Sequence, residues 1–403
     1  MLIKDAPLSA IERIPMITNL AELLAPVSTF EFLEAFRVSR RLHIPASDAA
    51  RMSSLLSWQD IDSLVPMLAL DDKLCVMRDG VMVPQQFYSS GEDNRFNARA
   101  FHDLVEQGVS VIVNSIDESI PQIGRLAVAI ERELSIRTNI NGYLSFSKGG
   151  AFKPHLDLHD ALVVQVHGKK KWRIWNAEIA HPTEKTDTLK VNASLPPDQV
   201  IELTPSDVLF IPRGEPHSAA ISTGHSVHLT IGLHSLTGLD VIDRLRKEAA
   251  EDLLLRTNLP RNSSEEEVLM HEAGLKRQLH QLIDAVSVTK FLRANDLGRR
   301  PLLQTAVSGA LPQMDDVLRL TLRRRIPLPE VAPDGPPHPI TIGGEVCRLA
   351  PASIDVMRWL FDHDPATRRE LDGALLSHYG QASIEAALRE LSQFGFMMVN
   401  RVG

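Results

Sequence analysis

His155 and Asp157, separated by one leucine, and His217, reached after a strand-rich interval, are the residues of this chain best suited to chemistry. Two imidazoles and one carboxylate in this order can occupy one face of a ferrous ion. Three positions then stay open for a cosubstrate and dioxygen, the ligand set of non-haem Fe(II) oxygenases. A His-x-Asp pair arises easily by chance in a chain with 15 histidines, so the weight falls on the elements that must present it.

Gly149 and Gly150 interrupt an apolar run and predict a turn ahead of the pair. Leu162 to His167 is rich in β-branched residues and reads as a buried strand. Gly168 turns the chain, and Lys170 to Trp175 alternates as the next strand of a hairpin. Strand parity puts Lys170 with Trp172 and Ile174 on the more apolar, inward face. Lys170 thereby stands at the inner edge of a barrel, where a buried anion needs a cation. A Lys-Lys-Lys run at a hairpin tip facing water is the ordinary alternative, and it describes Lys169 and Lys171.

On the other side of the site, Val208 to Ile211 is a short strand. Pro212, Gly214 and Pro216 stiffen the turn from which His217 emerges, as suits a metal ligand. From Ser226 to Leu233 the chain alternates: Val227, Leu229, Ile231 and Leu233 share one face, and Ser226, His228, Thr230 and Gly232 the other. His228 and Thr230 belong either to the lining of a polar barrel or to a solvated strand face. His159, two residues past Asp157, is the sharpest rival ligand.

The runs Asn141–Trp175 and Asp207–Leu233 resemble the JmjC-type 2-oxoglutarate oxygenases, and within them the ribosomal oxygenases, including the bacterial ribosomal-protein arginine hydroxylases. The resemblance implies a double-stranded β-helix (a cupin-like JmjC barrel). His155, Asp157 and His217 fall on the family's metal ligands for Fe(II). Lys170, thirteen positions after the aspartate, falls on its basic residue for the distal carboxylate of 2-oxoglutarate, and Gln165 to Gly168 matches the Gln-x-x-Gly before it. Tyr143, Ser145, Ser147, His228 and Thr230 are the further candidates for holding the cosubstrate. Two positions depart from the pattern. Arginine hydroxylases carry Arg where this chain has Lys170, and only Arg offers a fork. Phe152 stands in place of the family's threonine before His-x-Asp, so Ser145 or Ser147 must supply its hydrogen bond. Residues 29–93 resemble the family's lead-in: a helix, the strand Arg-Arg-Leu-His-Ile at 40–44, Leu-Ser-Trp at 56–58, and the turn at Met77-Arg-Asp-Gly80.

The chain of 403 residues is long enough for two or three domains. Its 44% hydrophobic and 23% charged residues fit a globular protein. No apolar run reaches the ~18 residues of a membrane span, and the N-terminus lacks the pattern of a secretory signal. Cys75 and Cys347 form no CxxC, and a reducing cytoplasm is the expected setting. A net charge of −8 opposes nonspecific nucleic-acid binding and favours a basic peptide or protein partner. No Gly-x-Ser-x-Gly, Walker A, Gly-x-Gly-x-x-Gly or His-Glu-x-x-His motif is present.

The expected architecture is α+β. The catalytic region spans 1–237, with two helical pieces over 98–138. A helical region follows over 238–326, where Ser263-Ser264 with Glu266 and Glu267 starts a helix. Leu269, Leu275, Leu279, Leu282 and Ile283 make that helix either a plain core element or part of the dimerisation bundle the family carries there. Arg323 to Arg325 read as its solvated end. Six prolines over 327–339 mark a connector. Residues 340–403 predict a winged-helix-like domain. Its strands are Ile340–Cys347 and Gly395–Val399, and its helices are capped by Ser353 and Thr367 or run from Ala382 to Phe394. The acidic third helix, with Glu385 and Glu390, favours peptide contact or packing over DNA.

The expected activity is Fe(II)- and 2-oxoglutarate-dependent hydroxylation of a side chain in a protein or peptide, with a ribosomal-protein-like substrate favoured and a homodimer as the assembly. The alternatives are a hydroxylase of a ribosomally synthesised precursor peptide and a catalytically silent cupin-like binding protein; a histone-type demethylase fits less well. Substrate contacts are expected in the loop-like stretches 85–100 and 176–200.

Overall fold

A computed structural model of the chain describes residues 17–90, 95–146, 153–183, 196–302 and 310–401. The chain divides into two compact units, one ending at His234 and the other beginning at Ser235. The strands of the first unit are β1 (Leu42–Ile44), β2 (Leu74–Arg78), β3 (Val81–Val83), β4 (Ser89–Ser90), β5 (Arg95–Phe96), β6 (Ser110–Val113), β7 (Arg137–Ser145), β8 (Asp160–Ile174), β9 (Gln199–Leu203), β10 (Val208–Ile211) and β11 (His217–His234). Nine of them form one sheet in the order β1-β10-β8-β11-β7-β6-β2-β3, with β9 beside β8. Every pairing in it is antiparallel.

β8 and β11 each serve two parts of this sheet. The first half of β8 lies between β10 and the second half of β11; its second half lies between β9 and the first half of β11. Irregular register between Ile221 and His228 bends the pair. The result is a mixed α/β unit on a large antiparallel sheet of cupin-like form.

The alternation of β11 divides its residues as chemistry requires. Val227, Leu229, Ile231 and Leu233 are fully buried in the main core. Their companions there come from Thr29–Arg37 (Phe32), Trp58–Leu68 (Ile61, Leu64) and Pro121–Leu134 (Ile123, Leu126, Ile130). These helices start where capping chemistry permits: Ser28 accepts from the Glu31 amide, and Ser57 forms a capping box with Asp60. Phe210 of β10 meets Phe32 edge-on at 5.4 Å. A smaller cluster of Val163, Trp172, Ile174, Ile201, Leu203, Leu209 and Ile211 lies on the other side of the sheet. Leu229→Ala should lower the stability of this unit by about 2–5 kcal/mol, since its neighbours cannot close the cavity; denaturant unfolding followed by tryptophan fluorescence measures it.

Two local expectations need correction here. Gly168 does not turn β8 into a hairpin; the strand continues through it to Ile174, because β11 pairs with β8 on both sides of the irregularity. The two helical pieces expected over 98–138 are Ala98–Glu106 and Pro121–Leu134, with β6 between them, where Ser-Val-Ile-Val finds edges on β2 and β7. The last two residues of the loop-like stretch 176–200, Gln199 and Val200, are the start of β9 (Gln199–Leu203). The turn at Met77–Gly80 does form a hairpin, with Asp79 and Gly80 both at positive φ.

In the second unit, helices run over Gly238–Ala249, Leu253–Arg256, Glu265–Asp284 and Val288–Leu297. Ser264 and Glu267 make the capping box of the longest. Beyond them lie β12 (Val317–Leu320), the hairpin of β13 (His338–Ile342) and β14 (Glu345–Leu349), β15 (Ala366–Thr367) and β16 (Met397–Asn400), with helices Pro351–His363, Arg368–Tyr379 and Gln381–Gln393. β12 pairs with both β15 and β16. Arg323 to Arg325 therefore follow a strand, not a helix. Arg323 and Arg324 are buried, Arg324 against Asp296 at 2.9 Å, so the expectation of a solvated run fails for two of the three. Ile340–Cys347 is two strands broken at Gly343-Gly344, both at positive φ. Ser353 is no cap; Ala350 holds the N-cap position, and Ser353 is buried against the Glu390 carboxylate. Thr367 does cap its helix, in a box with Glu370. Among the described residues no helix is long and apolar enough to cross a membrane.

Candidate metal and cosubstrate site

His155 lies just ahead of β8, Asp157 two residues further on, and His217 opens β11. The backbone joins them directly. His155 and His217 exchange both amide–carbonyl bonds, at 3.1 and 2.7 Å. The Gly214 amide donates to the Asp157 carbonyl at 2.9 Å. One potential ligand atom from each of the three side chains falls within 4.8 Å of the others, a spacing that one metal ion can bridge. His217 Nε2 and the nearer Asp157 oxygen are 3.6 Å apart.

Both imidazoles are held in the tautomer a metal needs. His155 Nδ1 lies 3.0 Å from the Lys153 carbonyl and His217 Nδ1 2.9 Å from the Glu215 carbonyl. A carbonyl only accepts, so each Nδ1 carries the proton and each Nε2 keeps its lone pair. Burial, opposed by Asp157, lowers the pKa of His217 and favours its neutral form. Arg41, just before β1, clamps the same turn through an ion pair with Glu215 at 2.7 Å. Two nitrogens and one carboxylate oxygen suit a ferrous ion in type and number.

Gly214 permits this arrangement. Its φ is +86°, and a Cβ there would stand 2.8 Å from Pro182 Cδ. Gly214→Val should weaken divalent-metal binding roughly 10–100-fold, the range for loss of a group that orients ligands; a Mn(II) titration followed by electron paramagnetic resonance measures it.

The same cavity contains a buried cation. Lys170 is 4% exposed. Its Nζ donates to Ser145 Oγ at 3.1 Å and lies 3.1 Å from His228 Nδ1, which must accept. Ser110 Oγ donates to Ser145 Oγ at 3.2 Å. Tyr143 stacks on His228 with centroids 4.8 Å apart, and Trp172 meets it edge-on. Burial brings the Lys170 amine down to about 7, and burial followed by Lys170 pushes His228 well below 6.5. Burial, then Asp157, raises Tyr143 to about 12. No carboxylate is among these partners of the amine. The Trp172 indole N–H has no hydrogen-bond partner among the described residues. Among the described residues, a buried amine without a carboxylate partner and an indole donor without an acceptor suit an anionic oxygen ligand.

Residues 114–241 match the family model described as the JmjC domain. This chain carries a JmjC domain. Among curated proteins, the bifunctional lysine-specific demethylase and histidyl-hydroxylase NO66 of Drosophila persimilis is 26% identical over 253 residues, which cover 60% of this chain and 36% of that protein. Ribosomal oxygenase 2 of Rattus norvegicus is 24% identical over 346 residues, 77% of this chain and 72% of its own length. The chain thus spans about a third of the first relative. A crystal structure of the Escherichia coli ribosomal oxygenase YcfD superposes with a TM-score of 0.57 at 17% identity, over 93% of this chain and 98% of that one. A YcfD structure in complex with cobalt and 2-oxoglutarate gives 0.56 at 16% identity, over 93% and 99%. At these identities the superpositions establish the fold.

Within the JmjC domain, His155, Asp157, His217, Lys170, Tyr143, His228 and Thr230 all line one cavity. Ser145 reaches it through its bond with Lys170. Ser147 and Phe152, like Gly149 and Gly150, lie outside the described residues. His159 also lines the cavity, but it stacks on His234 at 4.6 Å and is not in the three-residue metal group. Lys169 and Lys171 are exposed. Asn139 and Asn141 were not singled out from the sequence, yet they line the cavity in register with Gly232 and Thr230. The signal was the alternation Asn139-Asn141-Tyr143-Ser145 on β7, the same pattern read on β11. Gly232 leaves them room, since a Cβ would stand 2.7 Å from Asn139 Oδ1.

Proposed function

We propose that this protein is an Fe(II)- and 2-oxoglutarate-dependent oxygenase that hydroxylates an amino-acid side chain in a protein or peptide. The observation that carries the reading is the sharing of one cavity by the His155–Asp157–His217 group and a buried Lys170 that meets no carboxylate among the described residues. His155, Asp157 and His217 would hold the iron. Lys170, with Ser145, His228 and Tyr143 around it, would hold the distal carboxylate of 2-oxoglutarate. When bound, iron and ketoacid supply the oxidising power, consuming dioxygen, releasing succinate and carbon dioxide, and placing one oxygen atom in a substrate C–H bond. The protein's part is to orient both ligands and keep water from the buried end, where apolar Val163, Trp172 and Ile211 form the wall. Thr230 would stand with the cosubstrate group, and Asn139 and Asn141 on the adjoining β7, with His159, are polar lining groups left to meet a substrate side chain.

A ribosomal-protein-like substrate is favoured, on the names of the relatives and on the net charge of −8, which steers basic partners. The helices from Gly238 to Leu297 are assigned to homodimerisation. Leu239, Ile242, Leu269, Met270, Leu279 and Ile283 on them are exposed, an apolar surface that a second copy would cover. The catalytic region is taken as 1–237, the dimerisation region as 238–326, the connector as 327–339 and a winged-helix-like domain as 340–403. Three helices with a short sheet and the β13–β14 hairpin support the last assignment. Unpaired Cys75 and Cys347 suit a cytoplasmic setting, without membrane or nucleic acid as partner.

The test is to load the protein with Fe(II) without oxygen, add 2-oxoglutarate and a cell extract, admit air, and follow succinate and peptides that gain one oxygen atom. Succinate with one modified peptide supports the oxygenase and identifies its substrate. Absence of succinate from iron-loaded protein would leave a cupin-like binding protein.

A further inference from the structure

The side chains that face the cavity from β8 change parity along the strand. Ala161 and Val163 line it from the first half, Lys170 and Trp172 from the second. Uninterrupted alternation from Val163 would turn Lys169 and Lys171 inward and Lys170 out. One extra residue is absorbed between them. Gln165 pairs with His228 and His167 with Val227, so two residues of β8 advance against one of β11. His228 lines the cavity while Val227 belongs to the main core, and the bulge therefore separates the two parities.

The side chain of Gln165, fully buried, closes this bulge. Its Nε2 lies 2.7 Å from the His167 carbonyl, 3.2 Å from that of Gly168, 2.9 Å from Ser226 Oγ and 3.3 Å from the Val227 carbonyl. Those acceptors belong to the backbone that leaves the regular ladder and to the strand opposite. The Gln165 backbone is held as well, donating to the Asp207 carbonyl at 3.0 Å and accepting from the Ser206 amide at 2.7 Å. Gly168 completes the device: its φ is +66°, and a Cβ would stand 1.9 Å from the His225 carbonyl oxygen.

We infer that Gln165 is a positioning residue for cosubstrate binding, its buried amide pinning the β8 bulge that turns Lys170, and not Lys169 or Lys171, into the cavity. This rests on the reading of Lys170 as the 2-oxoglutarate cation. Gln165 touches no reacting atom; it acts through the register of the strand. Gln165→Leu keeps the volume and removes the donor, and Gln165→Glu replaces the donor with an acceptor facing three carbonyls, with only the Ser226 hydroxyl able to donate to it.

The experiment measures Mn(II) affinity by electron paramagnetic resonance, then 2-oxoglutarate affinity of the Mn(II)-loaded protein by calorimetry. For the unaltered protein, 2-oxoglutarate binding that Lys170→Ala removes establishes the underlying reading; its absence overturns that reading and the inference with it. Given that binding, Gln165→Leu should weaken 2-oxoglutarate about tenfold, roughly 1.4 kcal/mol, and Gln165→Glu more, with Mn(II) affinity changed less than about twofold. In turnover the KM for 2-oxoglutarate should rise more than kcat falls. Unchanged 2-oxoglutarate affinity in both variants, or parallel loss of metal and ketoacid, refutes the positioning role. If Gln165→Leu does not fold, Ser226→Ala removes one of the four acceptors. It must show the same selective loss in smaller degree, and wild-type affinity there overturns the inference.

Discussion

Asp157→Ala, His155→Ala and His217→Ala are each expected to lower ketoacid turnover by roughly three orders of magnitude or more, the scale of several kcal/mol of metal-supplied stabilisation. The expectation follows from how little freedom the three side chains have. His155 and His217 exchange backbone bonds and each directs Nδ1–H at a carbonyl two residues earlier, so both rings are held with Nε2 free to ligate. His159, a further imidazole of the cavity, stacks against His234, whose Nε2 lies 2.6 Å from Asn139 Oδ1. His159→Ala should therefore keep wild-type Mn(II) affinity, while the three ligand variants lose it. Equal metal binding by His217→Ala and the unaltered protein would refute the assignment.

Lys170→Ala should raise the 2-oxoglutarate requirement by roughly 30-fold or more, since removing one partner of a buried charge pair costs about 2–5 kcal/mol. Metal affinity should hold, because Lys170 bonds to Ser145 and His228 and not to the metal group. Lys170→Arg is not a neutral change, because Ser145 and His228 already fill the space beside the amine that the larger guanidinium would need. A pH signature accompanies the prediction. In the free protein burial brings the Lys170 amine down to about 7, whereas an unfolded lysine keeps its proton to about 10.4. Between those values the unfolded chain binds more protons, so the free protein gains stability as pH rises through that window and loses it as pH falls toward 7. The ligand acts in the opposite direction. A carboxylate beside the amine favours the ammonium form, so 2-oxoglutarate binding above pH 7 takes up a proton and weakens as pH rises further. Calorimetry in buffers of different ionisation enthalpy reads that proton directly; no uptake at pH 8 would mean that Lys170 is not the group that meets the anion.

Much of the site was legible because β-strands have a period of two. On β11 the apolar set and the polar set separate by parity alone, and Val227, Leu229, Ile231 and Leu233 are indeed core while His228 and Thr230 face the cavity. Lys170 was placed inward by the same rule, though the rule was applied to a supposed hairpin. The strand is continuous, and the right orientation came from counting after Gly168 and not through it. Asn139 and Asn141 went unnoticed because an alternating polar face reads equally as solvated surface; only the pairing of β7 with β11 turns it to the cavity.

The second unit shows where local patterns fail. Arg323 and Arg324 look like a charged helix end, but β16 and β15 recruit the preceding segment Val317–Leu320 as a strand, and Asp296 meets Arg324 from a helix nearly thirty residues away. Ser353 looks like a cap, yet it follows a proline at the first helical position and bonds to Glu390 across the unit. Each error has one cause: partners distant in sequence overrode a local preference.

What the sequence by itself determined was therefore the inventory: the identity and order of His155, Asp157, His217 and Lys170, the alternation of the strands that carry them, and the stiff Pro-Gly-Pro turn before His217. These are properties of residue type and spacing, and short-range sterics suffice to read them. The tertiary structure decided which alternating faces meet. It brought β7, β8 and β11 together so that metal group, cation and amides share one cavity, and it placed the bulge at Gln165 that turns Lys170 inward. Those outcomes depend on the register between strands far apart in the chain, and no local pattern encodes a register.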